Sequence, residues 1–366
     1  MKTLSVRNIL VPIDFSNMSI QAIEAAKRLA LRFGATIHLA HIRQFFYPVG
    51  FSAPMPPMIP FSVVDYDREA EGLAMKRLQA LATKHRLSAT TCHLLTGAPA
   101  FDEICRLAKE IPAELIVTPT HGHTGLKHVF MGSTAERIVQ HSPCPVFVTR
   151  SDKRPQRNGS HSLINRILVP VDFSACSLAG LKYAIQFADS FGASISILHV
   201  VDPGPLLTAD GYRMYDLEKY HEMARKEATG QMRKFVQLAK FGRVKFETAI
   251  VTGMSVQEII DFAQGHDIDL IITSTHGLTG FKHVLVGSTA ERVVRQASCA
   301  VLVVPSHPKV RSTNLGPRSE PQIKGRSQKP FRTLNDAKIT RRSRRVINHA
   351  FPERRKTNKF RETHLI

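Results

Sequence analysis

The sequence contains no tryptophan and only five cysteines in 366 residues. Cys92, Cys105, Cys144, Cys176 and Cys299 are odd in number and never spaced as Cys-x-x-Cys. That argues against a disulfide framework and against a cysteine-based zinc site. Cys144 and Cys299 precede a strand at matching positions of a repeat and read as small buried hydrophobes. No run of about 18 apolar residues occurs, so no membrane span is expected. The opening MKTLSVRNILVPIDF has neither a long apolar segment nor a small-residue cleavage site. It reads as the first strand of a folded domain, which leaves the cytoplasm as the expected location. Also missing are the Walker A pattern, the HRD and DFG motifs of kinases and the GxSxG nucleophile elbow. An enzymatic reading is left with weak hydrolysis at best.

Acidic residues are few: 30 Asp and Glu stand against 50 Lys and Arg, a net charge of +20. The excess is uneven. Residues 306–366 hold 17 Lys and Arg and 4 acidic residues, which is +13 of the +20. The basicity therefore belongs mainly to a polar tail without apolar periodicity, expected to be disordered. Its RRSRRVINHAFPERRKTNKF stretch would meet phosphates of a nucleic acid without sequence preference, or another anionic surface. The bland alternative is a solvated tail with no dedicated partner.

The rest of the chain repeats itself. ILVPIDFS at 9–16 returns as ILVPVDFS at 167–174, and FGATIHLAHI at 33–42 returns as FGASISILHV at 191–200. Residues 114–148 and 269–303 agree at 21 of 35 positions. Each repeat is long enough to be a domain, not a solenoid unit. The reading is domain 1 over 1–150, a linker over 151–162, domain 2 over 163–305 and the tail over 306–366.

Within each repeat, apolar β-branched runs alternate with segments of helical spacing. RNILVPI fits a strand buried on both faces. Ile20, Ile23, Ala26, Leu29 and Ala30 mark a helix capped by Ser16 or Asn17 and ended by Gly34. A strand ATIHLAHI, a helix over 65–85, a strand TTCHLLTG, a helix AFDEICRLAKE and strands ELIVTPT and SPCPVFVTR complete the unit. Such alternation specifies a parallel sheet covered by helices on both faces. The Pro-, Phe- and Met-rich stretch 45–62 reads as a lid, a contact for another chain, or an irregular insertion.

Open parallel sheets bind ligands beyond the carboxyl ends of their strands, which directs attention to three loops. Asp14 and Asp172 end the first strand of each repeat. A carboxylate there can accept hydrogen bonds from a ribose or a base, help hold a metal, or cap the next helix. After the fourth strand come THGHTGLKHVFMGST and THGLTGFKHVLVGST. Gly122 and Gly277 permit close approach of a ligand. Gly132 and Ser133, or Gly287 and Ser288, immediately precede a helix, whose free N–H groups suit an anion. The hydroxyls of Ser133, Thr134, Ser288 and Thr289 can cap that helix or meet phosphate oxygens. The turns Gly97-Ala98-Pro99 and Gly253-Met254-Ser255 either flank the same crevice or simply turn the chain. His121, His123, His128, His276 and His283 crowd the second loop without a frame for metal ligation.

ILVPxDFS, THGxTGxKHVxxGSTAER and the closing Cys-x-V strand resemble the universal stress protein family, over about residues 5–150 and 163–305. The resemblance implies two tandem doubly wound five-stranded parallel-sheet domains, Rossmann-like with order 3-2-1-4-5. It also implies ATP binding where a Gly-x2-Gly-x9-Gly-(Ser/Thr) pattern is met. Gly122 or Gly277 takes the second glycine position, and Gly132-Ser133 or Gly287-Ser288 the last pair. Pro119 and Ser274 stand at the first. By the same resemblance, Asp14 and Asp172 lie at the ribose, Ile42 and Val200 line the base, and Gly277, Gly287, Ser288 and Thr289 hold phosphates. Mg2+ would accompany the nucleotide. The two domains are expected to pair through their fifth strands as an internal pseudo-dimer, with a homodimer of the whole chain open. The function so implied is a stress-response binding module for adenine nucleotide. A nucleotide-independent scaffold and a weak ATPase are the alternatives.

Overall fold

In a computed structural model, residues 4–44, 61–120, 132–150, 164–202, 214–275 and 287–305 are described. The tail 306–366 and the linker 151–162 lie outside them, as do nearly all of the 45–62 stretch and both glycine–histidine loops.

The first strand, β1 (Asn8–Pro12), explains the layering. Its Ile9, Leu10 and Val11 are each wholly buried. Successive side chains on a strand point to opposite faces. Ile9 and Val11 enter one core with Ile23, Ala26 and Leu29 of α1 (Asn17–Phe33) and Leu78 of α2 (Phe61–Lys84). Leu10 enters a second core with Ile104 and Leu107 of α3 (Ala100–Glu110) and Ile138 of α4 (Ser133–His141). The remaining strands of the repeat are β2 (Thr36–Arg43), β3 (Thr90–Thr96), β4 (Leu115–Pro119) and β5 (Val146–Thr149).

The second repeat follows suit. Its strands are β6 (Arg166–Pro170), β7 (Ser194–Val201), β8 (Phe246–Thr252), β9 (Leu270–Ser274) and β10 (Ala300–Val304). Its helices are α5 (Ala175–Phe191), α6 (Met214–Gln237), α7 (Ser255–Gly265) and α8 (Ser288–Gln296).

Helix limits follow local chemistry. Ser16 caps α1, its hydroxyl accepting from the Ser19 N–H at 3.2 Å. Gly34 ends it at φ 70°, a left-handed conformation that costs glycine nothing. Ser174 and Gly192 serve α5 in the same way.

All ten strands form one sheet, in the order β3-β2-β1-β4-β5-β10-β9-β6-β7-β8. Each repeat is parallel and has the order expected of it. The repeats meet where β5 and β10 pair antiparallel, with Phe147 opposite Leu302. Both cores run through this seam. Around it, Arg150 donates to the Val294 carbonyl and Arg32 to that of Ser190. Arg295 bonds Glu136 of the other repeat at 2.9 Å and Glu291 of its own helix at 2.7 Å.

Candidate functional site

The sheet opens at one place in each repeat. β1 pairs with β2 along five residues, from Asn8 to Pro12. With β4 it pairs only at Ile9–Leu115 and Leu10–Ile116. β6 likewise meets β9 only at Ile167–Leu270 and Leu168–Ile271. The crossover after β1 packs on one face and the crossovers flanking β4 pack on the other, so the strands' carboxyl ends part. This is the topological switch point at which such sheets take ligands.

Asp14 and Asp172 stand at one lip of this crevice, two residues beyond their strands. The N-cap belongs to Ser16 and Ser174, not to the aspartates. Asp14 Oδ1 instead accepts from the Ser16 N–H at 2.9 Å, and Asp172 Oδ1 from the Ser174 N–H at 3.0 Å. Between each pair the chain makes a turn that sequence reasoning missed. Phe15 and Phe173 both adopt φ 62°. For a residue with a Cβ this costs about 1–2 kcal/mol. Ring contacts hold it in place. Phe15 packs on His41 at 4.5 Å and under the Arg77 guanidinium at 4.1 Å. Phe173 stacks on His199 at 4.2 Å and meets Phe235 edge-on at 5.5 Å. His41 Nδ1 and His199 Nδ1 donate to the carbonyls of Ile13 and Val171 at 2.7 and 2.8 Å. A carbonyl only accepts, which fixes the proton on Nδ1. Burial holds the His41 imidazole below its ordinary pKa. The histidine thus pins the strand end that carries the aspartate. Its one sequence signal was recurrence: Phe after Asp and His on the second strand appear at equivalent places in both repeats.

Ile42 lies two residues past Ala40, the register partner of Pro12, and Val200 two past Leu198, the partner of Pro170. Both are half-buried against the second core, on the α3–α4 and α7–α8 side. They therefore present apolar surface on that side of the sheet.

The other lip is built from β4 and β9. Gly132 N–H donates to the carbonyl of Thr120, the residue after β4, at 2.8 Å. Gly287 N–H donates to that of Thr275, after β9, at 2.5 Å. These bonds bring the N-termini of α4 and α8 to the carboxyl ends of β4 and β9. The N-cap is glycine in both helices, and among the described residues no side chain caps either one. Ser133, Thr134, Ser288 and Thr289 are exposed in the first turn. The partial positive charge of each helix end thus lies beside exposed hydroxyls, a setting that favours an anion. Gly122 and Gly277 lie outside the described residues, as do the loop histidines. Among the described residues no group of three or more His, Cys, Asp or Glu side chains is placed to hold a metal.

Pro119 and Ser274, at the first glycine position, are the last residues of β4 and β9. The Ser274 side chain is directed to α5, its Cβ 3.5 Å from where a Cβ on Gly180 would stand. It therefore fills the face away from α8. Pro119 differs in lacking an N–H. The third pair of turns lies on the β2 side: Gly97 N–H donates to the Arg43 carbonyl and Gly253 N–H to that of Val201, each at 3.1 Å. A Cβ on Gly97 would sit 2.7 Å from the Glu103 side chain, which a larger residue here would have to displace.

Among the described residues no helix is long and apolar enough to cross a membrane. The profile of the Universal stress protein family matches residues 5–150 and again 164–305. A universal stress protein of Methanocaldococcus jannaschii is 37% identical over 150 residues, covering 40% of this chain and 85% of its own. One from Mycolicibacterium smegmatis is 25% identical over 306 residues, covering 81% and 96%. The crystal structure of a universal stress protein from Archaeoglobus fulgidus superposes with TM-score 0.53 at 20% identity, covering 82% and 97%; at that identity the likeness is one of fold. Two matches of the family profile, a relative of tandem length and the shared fold agree: the chain belongs to the universal stress protein family, with two copies of its domain in tandem.

Proposed function

We propose that each crevice binds an adenine nucleotide, ATP with its Mg2+, and that the chain acts as a regulatory binding module in the response to stress. The observation that carries this reading is the pairing of an interrupted β1–β4 or β6–β9 ladder with an uncapped Gly-Ser helix N-terminus fixed at its far lip. Asp14 and Asp172 accept the ribose hydroxyls, and Ile42 and Val200 lie along the base. Gly122, Gly132, Ser133 and Thr134, or Gly277, Gly287, Ser288 and Thr289, surround the phosphates. The second repeat binds more tightly, because Ser274 keeps the backbone N–H that Pro119 lacks. Binding requires no bond to break. It favours the native state by RT ln(1 + [L]/Kd), so nucleotide level sets stability.

Calorimetric titration of the full chain with Mg-ATP, beside mass spectrometry of small molecules released on denaturation, tests the proposal. Ser288→Asp puts a carboxylate in the first turn of α8, where it repels phosphate yet suits the helix dipole. At least a tenfold loss of affinity at one site, with an unchanged or higher melting temperature, is expected. A wild-type chain that releases no nucleotide and gives no heat with ATP refutes the proposal.

A further inference from the structure

Away from the crevices, two imidazoles converge at the edge of the sheet. His38 on β2 is level with Thr91, and His93 on β3 is level with Ala40, so the two stand diagonally on one face. Their rings lie 5.2 Å apart at 29°. His38 Nδ1 and His93 Nε2 are 3.0 Å apart. The second nitrogen of His38, Nε2, is 3.2 Å from Asn8 Oδ1 on β1. An amide oxygen only accepts, so the proton of His38 is on Nε2 and its Nδ1 offers a lone pair. The proton between the rings is then carried by His93.

The fold does not ask for this pair. In the second repeat, Ser196 occupies the register position of His38 and Ala249 that of His93. β7 and β8 nevertheless form the same ladder.

We propose that His38 and His93 chelate a divalent late transition-metal ion, Cu(II) ahead of Zn(II). Cis ligands about 2.0 Å from a square-planar metal lie about 2.8 Å apart, and tetrahedral ligands at the same distance about 3.3 Å. The observed 3.0 Å separation falls between the two, so the donors are already spaced for either geometry once the rings turn their lone pairs to a common point. The bond from His38 to Asn8 is the outer-shell contact that orients a metal-bound imidazole and fixes its tautomer. Burial, with His93 adding to it at His38, keeps the rings neutral at neutral pH, the form that ligates. The metal replaces the N–H···N bond. His93 carries its proton on Nδ1 instead of Nε2, and the net proton count is unchanged. Water completes the coordination, which makes the site exchangeable. Cu(II) leads because N-donor sites follow the Irving–Williams order. Occupancy ties the edge strand β3 to β2.

The chain has 17 histidines, so the test resolves individual residues. The full chain, freed of metal by chelation and labelled with 15N-histidine, is titrated with Cu(II) and observed by NMR. Calorimetric titrations with Cu(II) and with Zn(II) accompany it. The first equivalent of Cu(II) is expected to broaden the His38 and His93 ring signals before those of other histidines. His38→Ser with His93→Ala copies the second repeat and is expected to lose one equivalent in both titrations. Where circular dichroism shows that this pair of substitutions disturbs the fold, His93→Gln replaces it, with at least a tenfold loss of affinity expected. Broadening that begins at other histidines, or unchanged stoichiometry and affinity in the folded variant, overturns the assignment.

Discussion

Phe147 sits on the seam between the repeats, 3% exposed and opposite Leu302. Its core includes Ile23 and Leu29 of the first repeat and Leu181 and Phe187 of the second. Phe147→Ala removes a buried ring from the core shared by both repeats. Such truncations cost about 3–5 kcal/mol, through lost burial and the cavity left behind. At about 1.4 kcal/mol per factor of ten, opening becomes roughly one hundred to a few thousand times more frequent. A domain near the middle of the usual range, about 10 kcal/mol, remains mostly folded after that loss. Because sheet and cores are continuous across the seam, opening is expected to be shared. Hydrogen exchange read by mass spectrometry measures it strand by strand. Amides of β7, at the far side of the second repeat, should lose as much protection as those of β1. If β1 and β4 exchange faster while β7 keeps its wild-type protection, the repeats open as separate units and the reasoning fails.

Burial holds His38, His41 and His93 below their ordinary pKa of 6.5, so as the pH falls the unfolded chain takes up these protons first. Their contribution to stability is complete above pH 6.5 and falls as the pH drops toward the folded values. A lower melting temperature at pH 5.5 than at pH 7.5 is expected, with a smaller difference in the His38→Ser, His93→Ala variant; equal differences would show that burial of this pair does not contribute to the pH dependence. Burial pushes the Cys105 thiol up to about 11 and that of Cys144 up to about 12. Neither forms thiolate near neutrality, so iodoacetamide at pH 8 should spare both in the native chain and modify them on unfolding, as peptide mapping would show. Early alkylation of either would contradict their placement in the core.

Residues whose role is local were legible in the sequence. Ile9, Leu10 and Val11 announce a strand covered on both faces, and α3 occupies the whole AFDEICRLAKE segment. Ser16 and Gly34 bound α1 by cap chemistry alone. The internal repeat announced two copies of one parallel-sheet unit, and the resemblance to the universal stress protein family supplied the strand order within it. The left-handed Phe15 and Phe173 were not legible, because an aromatic residue disfavours that conformation. Contacts from other elements hold it there: His41 and Arg77 against Phe15, His199 and Phe235 against Phe173. The ties across the seam were hidden for another reason. Arg150 and Arg295 reach carbonyl and carboxylate partners 144 and 159 residues away. The repeat gives no hint of them either, since Gln140 stands where Arg295 does. At the crevice, residue types pointed to the strand ends beyond which the β1–β4 and β6–β9 ladders part. The bonds from Gly132 to Thr120 and from Gly287 to Thr275, which close the lip, follow only from the folded chain.

The antiparallel junction of β5 with β10 has a consequence for dosage. Separate single-domain chains joined along such strands would come apart on dilution, so their paired fraction would follow expression level. Here one polypeptide supplies both strands, and each finds the other at an effective concentration set by the connecting chain. Pairing is then a unimolecular event. A cell that makes only a few copies would hold them assembled, and the ratio of the two halves is fixed at one to one by translation.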